Sequence, residues 1–263
     1  MDNQKRFNQV VRDIKDIKIQ GANNIAKSAL LAYNSLLKTK KAKQQLINAR
    51  PTEPLLVNVL NKADRVSNKQ ILNHFSEVQE KINKSALKLI KNNSIIFTHC
   101  HSTAVVKAII YAKKHGKKFQ VYNTETRPLF QGRKTAAELK KAGIRVTIFV
   151  DSAMGLALRQ AGIILLGADA ILKTGAINKI GSNMIAELAS KHKIPVYVLA
   201  DSWKFAKNIK IEERDFREVW KSAPKSIKIR NPAFEKIEKK YIQGIISEFG
   251  VLSYDKFLRK VRV

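Results

Sequence analysis

Cysteine is nearly absent: Cys100 is the only one, so no intrachain disulfide can form and the chain fits a reducing compartment. No apolar run approaches the roughly 18 residues of a membrane span, and the opening Met1-Asp-Asn-Gln-Lys-Arg6 has no apolar stretch of a signal peptide. These shortages predict a cytoplasmic protein with no membrane association. Acidic residues are scarce too, with 21 Asp and Glu against 50 Lys and Arg and a formal charge of +29, an excess that calls for an anionic partner. The lysines are spread along the whole chain, however, and no basic patch interleaved with aromatics marks a single-stranded nucleic-acid groove. Small phosphorylated ligands are therefore the favoured anions, and nucleic acid is not expected. Also missing are a P-loop, a G-x-S-x-G elbow and a G-x-G-x-x-G fingerprint, which removes the commonest NTPase, hydrolase and dinucleotide readings. No cofactor and no metal are expected: His99-Cys100-His101 are consecutive on an extended segment, so they point to alternate sides, and no second ligand cluster has zinc-like spacing.

What is present divides in two. Residues 1–92 carry helical periodicity: Arg6 to Lys18, Ile25 to Leu37 with Asn23 or Asn24 as N-cap, Ala42 to Ala49, Pro54 to Leu60, and Asn68 to Lys91. Arg50-Pro51 ends the third run, because proline disfavours helical backbone in the residue before it. Residues 93–263 alternate short apolar strands with helices of about ten residues. The strands are Ser94–Thr98, Lys118–Tyr122, Arg145–Val150, Ile163–Gly167 and Pro195–Ala200, with Tyr241–Ser247 as a last one and the tail from Tyr254 as a short helix or edge. That alternation is the signature of βαβ units. The expected fold is α/β: an N-terminal all-helical domain, 1–92, followed by a Rossmann-like parallel-sheet domain, 93–263.

The segment Ile163 to Ser182 organises the second half. Four aliphatic residues form a buried strand, and a loop then carries Asp169, Gly175, Asn178, Lys179, Gly181 and Ser182 before a helix begins near Met184. Ligands of open α/β sheets bind outside the carboxyl ends of the strands. Gly181-Ser182 at a helix start would add free N–H groups suited to phosphate. Three further strand ends carry polar clusters, Thr98–Ser102, Asn123–Arg127 and Asp201–Lys204, so Cys100, Glu125, Asp169 and Lys204 are expected at one crevice. Cys100 has histidines and a helix start beside it, an environment that favours thiolate. A base for a carbon-bound proton, a carboxyl that moves a proton between oxygens and several phosphate-holding groups together suit aldose–ketose isomerisation.

The same residues carry a family resemblance. Thr98-His-Cys-His-Ser, Glu125-Thr-Arg-Pro with Gln131-Gly, Asp151-Ser-Ala, Leu166-Gly-Ala-Asp-Ala, Gly175-Ala-Ile-Asn-Lys-Ile-Gly, and Ile194-Pro-Val-Tyr-Val-Leu-Ala with Lys204-Phe resemble, in this order, one family. It unites the α, β and δ regulatory subunits of translation initiation factor 2B, methylthioribose-1-phosphate isomerase and archaeal ribose-1,5-bisphosphate isomerase. The resemblance implies Cys100 as base and Asp169 as proton shuttle between O1 and O2, with Gly21, Ala22, Arg50, Ser102, Asn178, Lys179 and Lys204 holding substrate. It implies a homodimer or higher homo-oligomer. Gln20 stands where the isomerases usually have Arg, and the helical region is shorter than theirs. Two functions follow: a cofactor-free isomerase of a phosphorylated pentose, most like ribose-1,5-bisphosphate isomerase, or a non-catalytic regulatory subunit that binds an initiation factor or senses a sugar phosphate or nucleotide.

Overall fold

The computed structural model describes residues 3–35 and 38–261; Leu36 and Leu37 of the second expected helix, and the last two residues of the tail, lie outside them. Five helices open the chain: α1 (Asn3–Lys15), α2 (Ala22–Ser35), α3 (Lys40–Ala49), α4 (Pro54–Lys62) and α5 (Asn68–Leu89). Their ends follow local chemistry. The Thr39 hydroxyl accepts the Ala42 N–H at the start of α3, Pro54 occupies the first turn of α4, and Ser67 with Gln70 forms a reciprocal capping box on α5. Neither asparagine caps α2. Gly21, at φ +84°, begins the helix earlier, with its carbonyl accepting the Ile25 N–H, and Asn24 donates its side-chain amide to the Gln20 carbonyl.

The second half builds β1 (Ser94–Thr98), α6 (Thr103–Lys114), β2 (Phe119–Thr124), α7 (Gln131–Lys141), β3 (Arg145–Phe149), α8 (Met154–Leu158), β4 (Ile163–Gly167), β5 (Ala170–Ile171), β6 (Gly175–Lys179), α9 (Ser182–Lys191), β7 (Val196–Leu199), β8 (Phe234–Glu238), β9 (Gly244–Ser247), β10 (Gly250–Leu252) and α10 (Tyr254–Val261). Seven strands form one sheet in the order β10-β9-β7-β4-β1-β2-β3, parallel except for the β9–β10 hairpin. Successive strands run outward from β1 through β2 to β3, and the chain then returns to β4 on the other side of β1. The β1–β4 junction is therefore a topological switch point, where the crevice of an open α/β sheet opens.

Helices cover both faces of this sheet. Ala157, Leu158, Ile185, Ala189 and Phe257 pack with the β4 and β7 residues Ile164, Leu166, Val196 and Val198 on one face. Ile82, Ala86, Val105 and Ile109 pack with Ile96, Val121 and Leu165 on the other. A third apolar cluster, including Phe7, Leu30, Leu46, Leu56 and Phe75, holds α1 to α5 together.

Two expectations need correction. The segment after Asp169 is not a plain loop: β5 and β6 pair antiparallel, and β6 pairs along its length with the distant β8, Lys179 opposite Phe234 and Gly175 opposite Glu238, as a separate three-stranded sheet. The strand expected at Tyr241–Ser247 begins at Gly244, because Tyr241 ends a short 3-10 turn, and it is not the last, since β10 follows it in the same sheet. No helix among the described residues is long and apolar enough to cross a membrane.

Candidate active site

The carboxyl ends of β1 and β4 open into a cleft with about 1050 Å³ of empty space, open solvent at its mouth included. All nine residues singled out by the sequence line it: Gly21, Ala22, Arg50, Cys100, Ser102, Asp169, Asn178, Lys179 and Lys204. Glu125 is the exception to the expected crevice; its carboxylate pairs with Arg133 at 2.8 Å and does not line the cleft.

Cys100 is held in left-handed backbone, φ +65°, an uncommon conformation for a residue with a Cβ. Its N–H donates to the Thr126 hydroxyl at 2.9 Å, and its carbonyl accepts from the Thr135 hydroxyl at 2.8 Å. Thr126 is itself left-handed and hung from Asp151, whose carboxylate accepts the N–H groups of Thr126 and Arg127 at 2.9 and 2.7 Å. The Asn123–Arg127 cluster thus supports the thiol from behind instead of facing the ligand space. His99 is fully engaged, with Nε2 on the Ile180 carbonyl at 2.9 Å and Nδ1 on the Thr124 hydroxyl at 2.5 Å. With Nε2 as the donor, Nδ1 is left to accept the hydroxyl proton.

Electrostatics in the cleft are set by burial. The Cys100 thiol is pushed up to about 12 by desolvation, against the pull of the Lys179 ammonium. Lys179 is moved down by the same burial, and the Cys100 charge is the strongest influence holding it up. Asp169 is raised by desolvation and drawn back by Lys204, Arg50 and Lys179. Lys204 anchors its Nζ on the Ala168 carbonyl at 2.5 Å, which places it beside that carboxyl. Asn178 donates to the Ser182 hydroxyl, which donates to the Lys179 carbonyl, tightening the end of β6.

Some helix starts face the cleft and one expected to does not. Residues 20–25 at the α2 start and 102–104 at the α6 start line it, and the α6 start is not capped by a side chain. Free N–H groups at such termini favour phosphate. The α9 start, where Gly181-Ser182 was expected to cradle an anion, is closed by a protein carboxylate: Glu235 accepts the Asn183 N–H at 2.8 Å, and neither Gly181 nor Ser182 lines the cleft.

Sequence reasoning missed Glu53, Lys134 and Arg214, which also line the cleft. Glu53 is 2% exposed, its Oε2 has no hydrogen-bond partner among the described residues, and burial with the Asp169 charge raises it to about 8. Arg50 lies 3.8 Å from Glu53 and 3.3 Å from Glu212. Arg214 comes from the irregular stretch between β7 and β8, held by Glu218 at 2.8 Å. Neither a helix-cap glutamate nor an arginine in an aperiodic segment carries a pattern that separates it from a solvated residue.

A profile of the initiation factor 2 subunit family matches residues 11–254. The chain belongs to that family. It is 36% identical over 273 residues to a ribose 1,5-bisphosphate isomerase from Methanocaldococcus jannaschii, covering 91% of this chain and 89% of that one. Identity to the ribose 1,5-bisphosphate isomerase of Archaeoglobus fulgidus is 34% over 280 residues, covering 93% and 88%. The crystal structure of a Pyrococcus horikoshii OT3 translation initiation factor eIF-2B superposes with a TM-score of 0.83 at 28% identity, covering 94% of this chain and 97% of that one. Family members thus include proteins named as isomerases and proteins named as initiation factors, and the resemblance read from the ordered motifs is the one the family match returns.

Proposed function

We propose that this chain is a cofactor-free aldose–ketose isomerase of a phosphorylated pentose, most like the ribose 1,5-bisphosphate isomerases it is similar to, with ribulose 1,5-bisphosphate as product. One observation carries the reading: a thiol at the end of β1 and a carboxyl at the end of β4 line a single cleft at the switch point, among Arg50, Lys179 and Lys204. Residues 1–92, as a helical domain, supply Gly21, Ala22 and Arg50; residues 93–263 supply the rest.

A sugar phosphorylated on O1 has no free O1 to protonate, so a relay between O1 and O2 does not balance for it. The balanced course runs between the ring oxygen and O2. Asp169, in the protonated form that burial favours against the pull of Lys204, Arg50 and Lys179, gives its proton to the ring oxygen as the C1–O bond of the ring opens. Cys100, as thiolate, takes the C2 proton, and the C2–H electrons form the C1=C2 bond of an enol. Asp169 then takes the O2–H proton as C2=O2 forms, while Cys100 returns its proton to C1. Both groups end as they began. Lys179 is the cation that favours the thiolate, and the α2 and α6 starts with Ser102, Asn178 and Lys204 hold the phosphates.

Purified protein given ribose 1,5-bisphosphate, and separately methylthioribose 1-phosphate, tests this. Formation of ketose from the first supports it; no ketose from either, or full turnover by Cys100→Ser, sinks it. The same reading includes a homodimer or larger homo-oligomer, supported by the edge strand β3, with Ile148 on it left 44% exposed and Val150 just after it 55% exposed. Light scattering that returns only a monomer overturns that part.

A second reading, a non-catalytic regulatory subunit that binds an initiation factor or senses a sugar phosphate or nucleotide, is favoured by how the anion-binding groups are engaged. Arg50 already faces Glu53 and Glu212, and Gln20 donates back to the Ile17 carbonyl. Pull-down from native lysate that recovers no initiation factor or other protein counts against it.

A further inference from the structure

Behind the cleft, outside its lining, His74 of α5, Asp201 after β7 and Glu248 between β9 and β10 bring one imidazole nitrogen and two carboxylate oxygens within 4.8 Å of one another. His74 Nε2 is 3.1 Å from Asp201 Oδ1, which also accepts the Trp203 N–H at 2.9 Å. The other oxygen, Oδ2, is buried with no hydrogen-bond partner among the described residues, on a side chain only 4% exposed. A buried carboxylate oxygen without a partner is costly, and a second carboxylate with an oxygen within 4.8 Å adds repulsion.

We propose that His74, Asp201 and Glu248 form a divalent metal site of the zinc class. The donor set selects the class, since imidazole suits zinc and its neighbours whereas calcium and magnesium take oxygen alone. Three protein donors leave a fourth position for water. Metal–ligand distances near 2.0–2.2 Å put tetrahedral donors roughly 3.3–3.6 Å apart, so the three side chains close by about an ångström around the ion. The neutral ring binds through Nε2 with its proton on Nδ1, and Trp203, stacked on it at 3.5 Å between centroids, fixes its plane. Two carboxylates cancel the charge of the ion, and the unpartnered Oδ2 gains its ligand.

The site holds a turn that matters for the cleft. Ser202 N–H donates to Glu248 at 3.2 Å, Trp203 N–H to the Asp201 side chain and Lys204 N–H to the Asp201 carbonyl at 3.0 Å. The ion therefore stiffens the segment that delivers Lys204, and it stands whether or not the chain is an isomerase.

The test is titration of untagged, chelator-stripped protein with Co²⁺, read by visible absorption, with Zn²⁺ as competitor. The expected result is one saturable equivalent with the intense bands of a low-coordinate ion, no thiolate-to-cobalt band, and loss of the spectrum on adding Zn²⁺. His74→Gln and Glu248→Gln each weaken binding by more than the ~10- to 100-fold that losing an outer partner costs, with unchanged circular dichroism. If either variant fails to fold, the wild-type spectrum decides. Non-saturable binding, a weak six-coordinate spectrum, a thiolate band that places the ion at Cys100, or binding that survives in folded forms of both variants overturns the proposal.

Discussion

A Cβ built on Gly167 would stand 2.5 Å from the Ser102 hydroxyl oxygen and 2.6 Å from its Cβ. Gly167 ends β4 and Ser102 opens α6, so this contact is how closely the two elements bounding the cleft meet. Ser102 is attached to the helix start and cannot swing away as a long side chain would. Gly167→Ala is expected to destabilise the fold by ~1–3 kcal/mol, the usual cost of overpacking, and to raise KM by displacing Ser102. Adding Ser102→Gly to Gly167→Ala should restore much of the stability, giving a coupling of ~1 kcal/mol or more in a double-mutant cycle measured by urea denaturation. Strict additivity would mean the contact is not felt.

Cys100 gives a pH prediction with a definite sign. A thiol at about 12 is protonated at neutral pH, and its thiolate population grows about tenfold per pH unit below that value. If Cys100 is the base, kcat/KM for the pentose phosphate rises with near-unit slope between pH 7 and 9. Cys100→Ser lowers kcat by ~10²–10⁴, the usual weight of a general base, while leaving Tm within a few degrees. A flat profile over that range would assign the proton abstraction elsewhere.

How much of this was legible in the sequence differs between elements for physical reasons. β4 was readable to the residue because it is buried along its whole length and so carries a continuous apolar run, and β1 because its Ile-Ile-Phe centre is apolar between Ser94 and Thr98. β5, β6 and β8 were not. Ala170-Ile171 is too short to show a period, and β6 owes its pairing to Phe234–Glu238 fifty-odd residues away, a distance at which no local pattern reports. The cleft residues on strand ends followed from the rule that parallel strands share one edge. Glu53 and Arg214 arrive from a helix cap and an aperiodic segment, so only the folded chain brings them in. The α9 start looked open because nothing near Gly181 in sequence announces that Glu235 will close it.

Glu53 makes stability depend on pH in the direction opposite to an ordinary paired carboxylate. Its folded value of about 8 lies above the usual 4.5, so the native state keeps a proton that the unfolded chain has released. Stability from this group is intact below pH ~4.5, drains away as pH rises towards 8 and is flat beyond. Glu53→Gln, which keeps the shape of the protonated acid, should flatten that slope. The variant should be more stable than the parent at pH 8 by a difference on the order of a few kcal/mol and nearly equal to it at pH 4.5. Urea denaturation at the two pH values checks this. Equal stability at pH 8 would show that Arg50 and Lys204 keep Glu53 ionised in the native state.

Gln20 is the residue at the mouth whose replacement should add function. It sits one residue before the positive-φ Gly21 at the α2 start and spends its amide on the Ile17 carbonyl at 3.1 Å, an exposed bond whose loss costs little. Gln20→Arg replaces that amide with a guanidinium whose fork matches a phosphate, beside helix N–H groups already aimed at the cleft. One charge-assisted hydrogen bond is worth ~1.5–3 kcal/mol, and partial exposure at the mouth discounts it. KM for the bisphosphate should therefore fall by about three- to tenfold at low salt, with the gain shrinking as ionic strength rises. A lower KM that ignores salt would point to a change in helix packing, and an unchanged KM would mean that no phosphate of the substrate rests at the α2 start.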